Sequence, residues 1–176
     1  MNTPNNKRKR ESQLKIQRAF ANLIQEKNLN EITVTEICKI TQLNRTTFYA
    51  NYLDVYDLAD KFKEMMSQEL EEIYEDKLYK DFDFLKLFKH IKENQLFYKT
   101  YFKLNVTELP FEKYNTELAN SLYNNEFIDY HIEFFKAGLN AVILKWLASD
   151  CKETPETINN IIVSEYMNKV ILKEKK

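Results

Sequence analysis

Gly138 is the sole glycine among 176 residues, and only three prolines accompany it. Sheets closed by tight turns draw on glycine for their positive-φ positions, and this chain has almost none to offer. Helices throughout are the architecture that remains, so the fold class expected is all-α. The length suits one large domain or two small ones with a real apolar core. A chain 44% apolar and 30% charged has the balance of a soluble globular protein. No apolar run approaches the roughly 20 residues of a membrane span. The opening "MNTPNNKRKRES" lacks the apolar segment of a signal peptide. A cytoplasmic protein with no membrane partner is expected.

Chemistry-bearing clusters are scarce. Cys38 and Cys151 stand alone, without the C-x-x-C spacing of a zinc or redox site. His90 and His131 are isolated from each other and from any paired ligand pattern. One glycine cannot build a phosphate-cradling loop, and no nucleophile has a base close by in sequence. Acidic pairs such as Glu71-Glu72 and Asp81 with Asp83 read as solvated helix surface or helix ends. The expectation is a protein that is not an enzyme, with no metal and no cofactor.

Charge is unevenly spread. The first 52 residues carry nine Lys/Arg against four Asp/Glu, whereas the remainder carries 17 against 23. A basic N-terminal third on an acidic body points to a polyanionic partner at one end.

Periodicity divides the chain into a run of helices. Residues 1–9 have none and read as a flexible basic arm. A first helix is expected from about Arg10 to Lys27, with Ile16, Ala19, Phe20 and Leu23 on one face. Thr33 and Glu36 have capping-box spacing and open a short second helix. Asn44 offers the cap of a third, from Arg45 to Tyr52. A long helix follows from Val55 to Asp76, then one from Phe82 to Asn94 and an aromatic one from Leu96 to Leu104. Pro110 breaks the chain before a helix of about Glu112 to Asn124. The last two are expected over 125–150 and from Pro155, capped by Thr154, to Lys173. Residues 10–54 thus outline a helix-turn-helix domain, and residues 55–176 a larger antiparallel helical domain.

The segment "ITVTEICKITQLNRTTFYANYLDVYDL" resembles the DNA-binding segment of the tetracycline-repressor (TetR/AcrR) family of bacterial regulators. Thr33-Val34 and Ile37 open the second helix as in that family, and Leu43-Asn44-Arg45 stands where it has an apolar-Ser-Arg run. Thr47-Phe48-Tyr49 with Tyr52 matches its "TFY…F" signature, and Tyr56-Asp57-Leu58 matches the start of its fourth helix. The later stretch "YHIEFFKAGLNAVILKWLASDCKETPETINNII" looks like the last two helices of a branch that includes regulators of dihydroxyacetone utilisation. Two departures stand out. The family has Gly in the turn where this chain has Gln42, which must accept an unusual φ or reshape the turn. It also often has a phosphate-binding Lys where this chain has Val55.

On the third helix, Phe48 and Tyr52 are four apart and suit packing on the first two helices. Arg45, Thr46, Tyr49 and Asn51 are left outward, with Thr47 at the boundary. Arg can take guanine in a bidentate pair, Asn can read adenine, and Thr can bond a base or touch a thymine methyl. The resemblance implies that Tyr49 contacts phosphate and that Asn44 joins this face. Thr33 or Thr35, at a helix start, adds phosphate donors. The run Lys7-Arg8-Lys9-Arg10 is placed to reach the backbone or minor groove.

In the family the larger domain holds an inducer pocket and a four-helix dimer interface. Phe88, Phe97, Tyr98, Tyr101 and Phe102 suit either a pocket wall or plain core, and spacing alone favours core. Phe134, Ala137, Gly138 and Ala141 place small residues on neighbouring turns, where a mid-helix glycine costs about 1 kcal/mol against Ala. Close approach of a second helix would account for it. The function implied is a homodimeric repressor on a palindromic operator, released by a small-molecule effector. An activator or interaction module working through a partner protein is the alternative.

Overall fold

The computed structural model describes residues 4–75, 84–104, 106, 109 and 126–171. Among them lie eight α-helices and one 3-10 turn, with no strand. They are α1 (Pro4–Glu26), α2 (Val34–Thr41), α3 (Arg45–Tyr49), α4 (Val55–Glu75), α5 (Leu85–Glu93), α6 (Gln95–Lys103), α7 (Ile128–Ala148) and α8 (Pro155–Ile171), with the 3-10 turn at Leu29–Glu31. The helix expected over 112–124 lies outside the described residues.

The chain divides into two compact units, one of residues 1–66 with 96–106 and the other of 67–95 with 107–176. This departs from the boundary expected at 54/55, and packing supplies the reason. The first half of α4 buries Leu58, Phe62 and Met66 in the core of the first unit. Phe62 meets Phe20 at 5.9 Å and Phe97 at 5.3 Å between ring centroids. Helix α6 then returns to α1. The buried Thr100 accepts a hydrogen bond from Gln25 at 3.0 Å, and its hydroxyl is shared between the carbonyls of Leu96 and Ala21. Lys103 donates to the Gln25 carbonyl at 2.9 Å, the place where a cation complements a helix end.

The basic run is also placed differently from expectation. Residues 7–10 lie on α1 rather than in a free arm. Periodicity misses this extension because its side chains are exposed and leave no apolar stripe.

In the second unit, Phe84, Leu87, Phe88 and Ile91 pack with Phe135, Leu139, Ile143 and Trp146 of α7 and with Ile158 and Ile162 of α8. Phe88 and Trp146 stack edge to face at 5.9 Å. Asp150 and Cys151 carry the turn before α8 at φ 53° and 49°, and the Trp146 indole donates to the Glu153 carbonyl. Thr154 caps α8 through the Thr157 amide at 3.2 Å, with Pro155 first in the helix. Phe88 is buried in this unit, whereas Tyr98 and Tyr101 are buried, and Phe97 packs on Phe62, in the first unit.

Candidate nucleic-acid interface

Helix α2 starts on Thr33, whose hydroxyl accepts the Glu36 amide at 3.2 Å. The reciprocal half of the capping box is not made. The Glu36 carboxylate turns instead to Lys27 at 2.6 Å, and this bond raises the pKa of the lysine. Ile37 is fully buried and holds the helix to its unit. Helix α2 ends on Gln42 at φ 56°, ψ 30°, whose amide donates to the Cys38 carbonyl. A non-glycine residue therefore accepts the left-handed conformation at this turn. The Leu43 amide shares the same carbonyl at 3.2 Å.

Asn44 caps α3, accepting both the amide and the hydroxyl of Thr47 at 2.8 Å each. Helix α3 spans five residues and ends at Tyr49, three short of the expected Tyr52. Phe48 anchors it with no exposed surface, flanked by the rings of Tyr49 and Tyr52 at 5.6 Å each. Tyr52 is buried too. Burial pushes its hydroxyl up to about 12, against a hydrogen bond from Gln17 that lowers it.

With those anchors inside, the outer side is left to Thr33, Thr35, Asn44, Arg45, Thr46 and Tyr49, all exposed. Tyr49 keeps 54% of its surface open. One guanidinium nitrogen of Arg45 donates to the Thr35 hydroxyl at 2.6 Å, which ties the first residue of α3 to α2 while the residue stays exposed. Cys38 beside it is a neutral thiol, its pKa raised by burial and pulled back only in part by Arg45.

Asn51 departs from expectation. It is half-buried, its amide NH₂ donates to the Thr47 carbonyl at 2.8 Å, and its Oδ1 is buried with no partner among the described residues. Side-chain backbonding therefore takes the group that adenine would need, and Asn51 braces the end of α3 instead of facing out. Val55 is 6% exposed, and its apolar side chain cannot bond a phosphate.

Sequence spacing could not reveal that α1 reaches this face. A recess of about 390 Å³ is lined by Arg8, Lys9 and Ser12 of α1 together with Asn44, Thr46, Thr47, Ala50 and Asn51. Arg8 is thus brought beside the third helix, whereas Lys7 is exposed on α1 and outside the recess lining. In the sequence Lys9 stands out only as part of the basic run and Ser12 not at all, because residues some 35 positions apart carry no periodic signal of their meeting.

Among the described residues no group of His, Cys, Asp and Glu is arranged to hold a metal ion. No described helix is long and apolar enough to cross a membrane. The four residues expected at a dimer interface lie on one face of α7. Phe134 is 67% exposed, and Ala137, Gly138 and Ala141 are exposed with it.

Residues 82–168 match the family model described as a transcriptional regulator C-terminal region, of the TetR type. Among solved structures, the chain is similar to the dihydroxyacetone kinase operon activator DhaS, at 21% identity and a TM-score of 0.58. That match covers 92% of this chain and 97% of the other. No curated protein sequence gives a significant match. The helical fold of the DhaS structure thus extends over nearly the whole chain. The comparisons thus support a transcription regulator, with the match to the C-terminal-region family of TetR-type regulators lying over residues 82–168.

Proposed function

We propose that the chain binds operator DNA as a homodimer and represses transcription until a small-molecule effector releases it. The carrying observation is the Arg45 guanidinium, fixed on Thr35 at 2.6 Å at the head of an exposed polar helix. An exposed fork of this kind suits a guanine edge in the major groove. Thr46 and Thr47 stand on the same short helix for further base contacts. Tyr49, Thr33 and Thr35 have hydroxyls suited to phosphates, and Lys7 and Arg8 add charge. Cytoplasmic action in a bacterium follows from that partner and that family.

Dimerisation is supported by α7. One side of this helix is buried by Phe135, Leu139, Ile143 and Trp146, and the opposite side exposes Tyr130, Phe134 and Leu144 around the small residues. A Cβ on Gly138 would meet nothing within 4 Å, so nothing within the chain requires glycine there. A second copy pressed against this face supplies the requirement, and two reading helices match a palindrome. The effector reading rests on the C-terminal-region family alone.

Binding measured on a selected operator tests the assignment. Arg45→Ala should relax base preference at one position, at about 1–3 kcal/mol, while Tyr49→Phe weakens binding on all sequences alike. If both variants bind as the parent does, α3 does not read DNA. A second reading, activation through a partner protein, is favoured by the similarity to DhaS, which is named an operon activator. Reporter expression rising rather than falling when the intact gene is restored would select it.

A further inference from the structure

We propose that the recess between α1 and α3 seats one phosphate of the DNA backbone, held by Arg8 and Lys9, in place of the contact that α4 lacks. The proposal rests on the DNA-binding reading above and adds a site to it.

Three observations carry it. First, the start of α4 is closed to anions. Val55 is buried there, the Asp54 carboxylate accepts the Asp57 amide at 2.8 Å, and the Asp57 carboxylate accepts the Leu53 amide at 2.8 Å. Asp57 on the first turn and Asp54 just before it repel a phosphate, and Asp54 occupies the Asp57 amide. Second, the recess has the opposite character. Arg8 and Lys9 line it and, like the other basic residues of α1 before Lys27, carry no ion pair among the described residues. Glu11, the nearest acid in sequence, is not among the lining residues. Third, the remaining wall carries no charge: Ser12, Asn44, Thr46, Thr47 and Asn51 are polar, and Ala50 is small. At about 390 Å³ the recess holds a phosphate with several waters, each taking roughly 30 Å³ in the liquid.

The geometry also states what the site is for. Arg8 and Lys9 stand on the helix that packs against α2, so a phosphate held here fixes how α3 lies over the groove. Backbone contacts of this kind set register and carry no base information.

The test is the salt dependence of binding to a mixed-sequence DNA duplex, followed by fluorescence anisotropy. Each phosphate neutralised contributes about 0.9 to the slope of log affinity against log salt. Arg8→Ala with Lys9→Ala should flatten the slope by about one unit and leave the sequence preference on a selected site unchanged. The control pair, Lys15→Ala with Arg18→Ala, removes the same charge from α1 outside the recess and should leave the slope alone. Circular dichroism checks that both pairs fold. An equal loss in both pairs would mean a diffuse field and overturn the recess. An unchanged slope for Arg8 and Lys9 in a parent that binds DNA would overturn it as well. A parent that binds no DNA at any salt would overturn the DNA-binding reading itself, a separate outcome.

Discussion

Gln42 carries the turn between α2 and α3 at φ 56°, a conformation that costs an L-residue about 1–2 kcal/mol. Its side chain is exposed, so nothing else is lost on removing it. Gln42→Gly should therefore stabilise the protein by about 0.5–1 kcal/mol, the strain relief less the entropy of a freer unfolded chain. Gln42→Val should destabilise it by a similar amount or more; urea unfolding of both checks the pair. Asp57 offers a pH prediction. Its pKa is lowered in the folded state, first by the Leu53 amide and then by Lys61. The stabilisation is present above the ordinary carboxylate range near 3.8 and is lost as pH falls through the lower folded value. Asp57→Asn should thus flatten the acid limb of the stability curve below about pH 4 relative to the parent. The two departures from the resemblance therefore behave differently: Gln42 takes the left-handed conformation, whereas Val55 goes into the core.

Helix α3, with its turn, shows what could be read without coordinates. Asn44 as cap, Phe48 and Tyr52 as anchors and Arg45, Thr46 and Tyr49 as the open side all follow from i, i+4 spacing and side-chain chemistry, and the structure has each of them. The end of the helix did not follow, because it turns on a local choice: Asn51 bonds the Thr47 carbonyl four residues back. The start of α1 was missed for the reason that exposed turns leave no apolar period. Two tertiary events were hidden altogether. The return of α6 onto α1 and the recess beside α3 join residues far apart in sequence, and only the folded chain brings them together. At this scale the anchor is the sharpest lever. Phe48→Ala should cost about 3–5 kcal/mol, as for other buried aromatics, and release α3 from its bed. Thermal unfolding measures the loss.

For the molecule as a whole, α7 decides between a monomer and a dimer. In a lone chain, Gly138→Ala replaces a poor helix former at an open site and should gain about 1 kcal/mol. In a dimer closed over that face, the same methyl group obstructs the partner. Sedimentation should show weaker self-association of Gly138→Ala than of the parent, with the helical signal retained. Stronger helix stability with unchanged association would remove the small-residue argument. The division of labour proposed for the chain has the first unit presenting α3 and the α1 recess to DNA, and α7 of the second serving dimerisation.

Selection from random duplex DNA tests the central claim most directly. The parent protein should enrich an inverted repeat, and Arg45→Ala should lose preference at one base of each half-site while still enriching the rest. Recovery of no sequence above background, or of the same motif with full preference from Arg45→Ala, would contradict it.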